Sequence, residues 1–561
     1  MDEKQTHERE HFFGAAKLVA AITLLSRILG MIRDMAITWL GASRLTDAFQ
    51  LAFAVPNLFR RLFGEGALSA AFVPVFTETN EKDGFDRARG LLSNALSLLA
   101  VFLLALMLLI LAGLLVWQLV SPPPDDRRLL LMLTAVMLPF MVTICLLALG
   151  SAALNCRGHF AYPAFAPILL NIFMIAAAVA APRLASHLSG QLTIIAASVT
   201  AAGVLQLVLM LAMLRRQGFT LRMHLRPIEP GMGRMLRLMG PMLLGFGLLQ
   251  ISSFFDYYIA WVLTAAPDGQ PLTVLGLSIG RPLSEGVLVR YNAATRLYQF
   301  PMGVLAISLG VAVFPLLSRY AARGDMVSLR SSVNRAIRLS VMEGLAAGTG
   351  LLVLAEPIIE LIFRHGQFTQ ADAQQSAFIL KMYVLGMWAY CSYQIFLRAF
   401  YASKDTRTPL KISCGLVVLY MTTVLVLIYT PLGAGAFGVA TAVSASVNTI
   451  LLAAILRRRI GPFGGRAVAR SIGRTLVACL LMAAAVLWIR CELSGQDCWI
   501  IPDVLGFGPL VAPMLGLGAQ GAGMVVLGGV ITGAAVFVLT MRLLRAPELA
   551  ELFGSLRRRK E

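Results

Sequence analysis

LLSNALSLLAVFLLALMLLILAGLLVWQLV, residues 91–120, contains no charged side chain. A helix needs about 20 consecutive apolar residues to cross the hydrocarbon core of a bilayer, and this run exceeds that length. Comparable runs lie on both sides of it, at 16–40, 47–76, 129–154, 160–181, 191–214, 238–264, 284–317, 338–363, 373–401, 409–430, 434–456, 471–490 and 519–541. With 91–120 they predict an all-α polytopic membrane protein of about fourteen spans joined by short connections. Composition agrees: of 561 residues 58% are hydrophobic and 14% charged, too apolar for a soluble domain. The first sixteen residues are polar, carry Glu3, Glu8 and Glu10, and lack a small-residue cleavage site after a short apolar core, so the first apolar run is expected to remain as span one.

A net charge of +19 in a soluble protein would suggest a nucleic-acid partner, but here its location matters more. Arg215, Arg216, Arg222, Arg226, Arg234 and Arg237 follow span six, Arg319, Arg323, Arg330 and Arg335 follow span eight, and Arg457, Arg458, Arg459, Arg466 and Arg470 precede span thirteen. Arg557, Arg558, Arg559 and Lys560 sit in the tail, and the intervening loops are poor in Lys and Arg. Basic residues favour the cytoplasmic side, so the alternation predicts both termini in the cytoplasm and no nucleic-acid partner.

The spans group as two halves of six plus a C-terminal pair, with expected boundaries at 1–225, 226–460 and 461–561. The turn from Asn155 to Pro163 in the first half matches that from Tyr401 to Pro409 in the second. Six spans per half makes the halves parallel repeats, an arrangement common among transporters. Of seven cysteines, Cys491 and Cys498 flank a step in the expected extracytoplasmic loop before span fourteen, where an oxidising compartment allows a disulfide.

Charged side chains inside spans carry the functional signal, because each costs about 2.5–3.5 kcal/mol at a helix centre and must face protein or water. Arg27 in span one, Arg60 and Arg61 in span two and Arg296 in span eight all fall near mid-depth. Pairing with a local acid or snorkelling is the ordinary explanation of such an arginine. Arg61 has Glu65 one turn away, and Asp34 follows Arg33 on the face of Arg27, but Arg60 and Arg296 have no such neighbour. The excess positive charge asks for an anion. Pro56 and Pro301 stand beside Arg60 and Arg296, where each removes a helical hydrogen bond and gives a cavity wall freedom to bend. Asp47 and Glu285 near the starts of spans two and eight are read first as interfacially solvated, with gating as the alternative. Asp256, inside span seven, can bind a proton or sodium ion, or pair with a cavity arginine.

Six histidines in tails, loops and span ends form no His-Glu-x-x-His pair, there is no Cys-x-x-Cys site, and no G-x-x-x-x-G-K-[ST] loop occurs. These absences argue against a metal site, a cofactor, ATP hydrolysis and an enzyme. A membrane transferase would also need carboxylates or a metal in a sizeable loop.

Residues 26–34 read SRILGMIRD, 46–49 TDAF, and 56–75 PNLFRRLFGEGALSAAFVPV. Tyr162-Pro163-Ala164-Phe165-Ala166-Pro167, Thr295-Arg296-Leu297 leading to Phe300-Pro301, and Phe368-Thr369 continue the pattern. This resembles the MurJ/MviN family of lipid II flippases over nearly the whole chain. The resemblance implies a relative of multidrug and polysaccharide exporters: two six-helix lobes, a terminal pair forming a groove for a lipid tail, and alternating access in a bacterial inner membrane. It also implies substrate-binding roles for Arg27, Arg33, Arg60, Arg61 and Arg296, with Asp34, Asp47, Asn57 and Glu65 in the same motif blocks. Guanidinium groups would bind the diphosphate of lipid II by charge-assisted, often bidentate, hydrogen bonds. Membrane lipids and cell-wall synthesis proteins are further expected partners. Gln299 stands where the family often has an acid, and Tyr420 and Val424 where sodium-binding members have polar residues, which disfavours sodium coupling. The alternatives are an exporter of another polyprenyl-diphosphate-linked oligosaccharide or a non-transporting scaffold for cell-wall synthases. A drug exporter fits less well, because a positive midplane repels cationic drugs.

Overall fold

A computed structural model describes residues 2–64, 67–120, 124–220, 230–265, 271–274, 277–494 and 519–549. They divide into two compact units, Met1–Thr264 with Glu285–Val289, and Ala265–Ser284 with Arg290–Glu561.

The first unit holds α1 (Asp2–Thr38), α2 (Arg44–Phe59), α3 (Ala67–Lys82), α4 (Phe85–Val120), α5 (Asp125–Cys156), α6 (Ala161–Leu184), α7 (Leu188–Arg216) and α8 (Pro230–Val262). Its core forms around α5, which packs against α2, α4 and α7, while α1 lies on α6. In the most apolar stretch of α5, 61% of residues are buried, against 6% in α4. That contrast makes α5 a core helix and turns most of α4, which contains the uncharged run 91–120, towards lipid. α8 lies within this unit, packed on α2 and α3. Glu78 of α3 joins them near the helix ends, 2.9 Å from Lys82 and 2.8 Å from Arg234; these hydrogen bonds hold its carboxyl below the usual range.

The second unit holds α10 (Ala306–Arg323), α11 (Met326–Phe363), α12 (Gln370–Val384), α13 (Met387–Ala402), α14 (Arg407–Leu427), α15 (Gly435–Ile460), α16 (Gly465–Ser494) and α17 (Ala519–Leu543). The helix α9 (Val287–Val304) begins in the first unit and continues into the second at Arg290. α16 and α17 pack on each other and both lie on α11. Two ion pairs reach α11, from Arg490 of α16 to Glu356 at 2.9 Å and from Glu548, just beyond α17, to Arg338 at 3.1 Å.

Ten helices among the described residues are long and apolar enough to cross a membrane. Of the other expected spans, 47–76 is divided into α2, a π-helical segment and α3, and 373–401 into α12 and α13, each shorter than a full crossing. One of the ten, Val287–Arg323, is interrupted at Leu305, between α9 and α10. A small departure from helix is the antiparallel hairpin of β1 (Leu272–Val274) and β2 (Leu277–Ile279), which the hydropathy pattern did not reveal. Cys491 lies near the end of α16, while Cys498 is outside the described residues, and so is the expected bridge.

Candidate functional site

The first unit contains four of the five expected substrate-binding arginines, in different surroundings. Arg27 is exposed on α1 and has no hydrogen-bond or ion-pair partner among the described residues. Two turns on, Arg33 is held fast: its Nε and Nη2 donate to Asp34 Oδ1 at 3.0 and 2.7 Å, and its Nη1 donates to Asn171 Oδ1 of α6 at 3.1 Å. Its guanidinium carbon also lies 6.0 Å from the centre of the Phe53 ring. Asn171 in turn donates to the Ser26 carbonyl at 3.2 Å, tying α6 to α1.

Pro56 lies buried inside α2, and the helix passes into a π-helical turn at Arg60–Gly64. Proline removes a main-chain donor, and a wider turn is one way for the chain to absorb the resulting mismatch. Asn57 supports the transition, donating to the Phe53 carbonyl at 2.9 Å and accepting from Arg60 Nε at 3.1 Å. Arg61 is exposed, with no partner among the described residues. Glu65, its expected neighbour, lies outside them. In the second unit Arg296 is half-buried on α9, and Pro301 lies in the same helix shortly before its end.

Asp47 corrects the expectation of a solvated carboxylate. It is fully buried, and its Oδ1 accepts the backbone N–H groups of Leu288 at 2.9 Å and Val289 at 3.2 Å. A helix start leaves such donors without internal partners and favours negative charge, so Asp47 caps α9. The approach is close enough to require glycine: Gly286 has φ +79°, and a Cβ there would fall 2.5 Å from the Ala42 carbonyl carbon. Glu285 is exposed just before the cap, and Asp256 is buried on α8.

Two buried ion pairs escaped the sequence reading. Arg44 Nε lies 3.0 Å from Asp126 Oδ2, its Nη1 donates to the Trp261 carbonyl at 3.0 Å, and the guanidinium sits 3.8 Å from the centre of the Trp261 ring. In the second unit Arg290 Nη1 lies 2.9 Å from Asp372 Oδ1, and Nη2 donates to Ser284 Oγ at 2.8 Å. Each arginine is near the start of a helix and reaches an aspartate in the first turn of a later one. The available signal was an arginine at a span start matched by an acid at another span start in the same half.

The folded chain resembles an inward-facing multidrug resistance MATE family transporter of the MOP superfamily, with a TM-score of 0.62 at 14% identity, covering 80% of this chain and 99% of that one. The helical units and their membrane-length helices define a polytopic membrane protein with a fold like that of this MATE structure. Residues 36–497 match the family described as lipid II flippase MurJ, and the probable lipid II flippase MurJ of Bdellovibrio bacteriovorus is 32% identical over 459 residues, covering 80% of this chain and 83% of its own. A structure titled lipid II flippase MurJ, inward closed conformation, has a TM-score of 0.70 at 20% identity, covering 94% of this chain and 98% of its own. The chain belongs to the lipid II flippase MurJ family.

Proposed function

We propose that this protein moves lipid II from the inner to the outer leaflet of the bacterial cytoplasmic membrane by alternating access. The observation that carries the reading, within a chain of this family, is that Arg27 on α1 and Arg61 in the π-helical turn after α2 stand exposed with no protein partner among the described residues. Guanidinium groups so placed need an anion, and a diphosphate between a polyprenyl tail and a sugar-peptide supplies one. In this reading Arg27, Arg60, Arg61 and Arg296 bind the headgroup, and Asn57 orients Arg60 through the 3.1 Å hydrogen bond. Arg33 contributes its charge while Asp34 and Asn171 fix its position.

The two halves rock to expose the arginines alternately to each leaflet, and the polyprenyl tail stays in lipid along α16 and α17. The alternation of basic loops supports a topology with both termini in the cytoplasm. With sodium coupling disfavoured, membrane potential resets the empty cationic site, at about 2.3 kcal/mol per elementary charge per 100 mV.

The test is binding of lipid II to purified protein, with inorganic diphosphate as competitor. Wild type should bind and be displaced by diphosphate, and the Arg27→Ala/Arg61→Ala protein should bind at least about tenfold more weakly, since a hydrogen bond to a charged group contributes about 1.5–3 kcal/mol. Equal binding by a correctly inserted double variant would reject the arginine site.

A further inference from the structure

Glu343 lies on α11 where that helix crosses α13. The crossing is close: a Cβ added at Gly344 would fall 2.8 Å from the Trp388 Cα and 3.0 Å from the Met387 carbonyl oxygen. One turn on, a Cβ at Gly348 would lie 3.3 Å from the Val384 carbonyl oxygen. Glycines four apart let two helix backbones meet in a membrane, so the crossing is a packed contact and not a solvent gap.

Beside it, Glu343 is half-buried, and its Oε2 is shut off from solvent with no hydrogen-bond partner among the described residues. The helices packed on α11 are α10, α12, α13, α16 and α17. Of their titratable groups, the buried thiol of Cys391 on α13 interacts electrostatically with Glu343. Arg319 of α10, Lys381 of α12, Arg398 of α13, Cys479 of α16 and Arg542 of α17 are further titratable groups on those helices. On its own helix Arg338 and Glu356 are paired with Glu548 and Arg490.

An ionised carboxylate needs water, a donor or a cation for each oxygen, and burial without them disfavours the charge. A hard metal cation would require several oxygen ligands at once, and no group of three or more His, Cys, Asp or Glu side chains placed to hold one occurs among the described residues. A proton needs only the carboxylate itself.

We propose that Glu343 is a proton-binding site coupled to transport. With the α11–α13 crossing closed, an O–H bond formed with a proton from solvent keeps the side chain neutral; when the crossing loosens and water reaches the carboxylate, that proton returns to solvent. The coupling rests on the transport function proposed above, while proton binding can be tested without it.

Infrared difference spectra of liposome-reconstituted protein through a pH titration should contain a protonated-carboxyl carbonyl band that shifts in heavy water and is missing from Glu343→Gln. Glutamine has the shape of the neutral acid, so the variant keeps the crossing packed. In proteoliposomes, a pH gradient imposed at zero membrane potential should change wild-type lipid II translocation several-fold and leave Glu343→Gln unchanged, with Glu343→Asp partly restoring the response. The same titrating band in both proteins would overturn the proton site, and equal gradient sensitivity in both would overturn the coupling. Wild-type protein that moved no lipid II would overturn the transport reading, and the infrared titration would still decide whether Glu343 binds a proton.

Discussion

Arg27 and Arg33 share α1, yet their surroundings assign them different tasks. Replacing Arg27 by alanine removes an exposed group without a protein partner, so thermal unfolding in detergent should stay within about 0.5 kcal/mol of wild type while lipid II transport falls. Replacing Arg33 strips the donors from Asp34 and Asn171, and Arg33→Ala should lower the unfolding temperature as well as transport. A melt identical to that of Arg27→Ala would contradict the assignment. Asp47→Ala should destabilise by about 0.5–2 kcal/mol, the usual cost of a lost helix cap, and Asp47→Asn by less, because an amide oxygen can still accept from Leu288 and Val289. The sequence exposed these residues through their rarity in apolar runs. It left open whether a partner waits on another helix, since Asn171 is 138 residues from Arg33 and Leu288 is 241 from Asp47.

At the scale of helices, hydropathy located the membrane-length segments well because lipid forces helical hydrogen bonding over the whole crossing. It merged pieces wherever apolar composition continued through a break. The run 47–76 is apolar through Pro56, yet Pro56 and the π turn at Arg60–Gly64 divide it. Pro56→Ala should regularise the turn, displace Arg60 from Asn57 and reduce transport with normal expression; unchanged transport would show that the irregular turn is not needed. The Arg44–Asp126 pair was invisible because each partner looked like an ordinary interfacial charge, although both side chains are less than a tenth exposed. Breaking a buried pair by removing one partner costs about 3–5 kcal/mol, so Asp126→Ala should unfold at markedly lower temperature. The Arg44→Met/Asp126→Leu protein should recover much of that loss, and a double variant no better than the single would contradict a paired role.

For the whole molecule, family membership and a fold like those of the MurJ and MATE structures support the proposal that exposed arginines offer guanidinium groups to a diphosphate headgroup. The alternation of basic loops and the motif blocks at 26–34 and 56–75 made the class and family legible from sequence, because both are local patterns. The linking of α16 and of the segment after α17 to α11 through Arg490–Glu356 and Arg338–Glu548 was not legible, since it joins residues far apart in the chain. The most direct test of the central claim is lipid II translocation in proteoliposomes under an imposed membrane potential, wild type against Arg296→Ala. The account predicts translocation by wild type and its loss in a variant that reconstitutes normally; equal translocation by both would contradict the arginine site, and none by reconstitution-competent wild type would contradict the flippase itself.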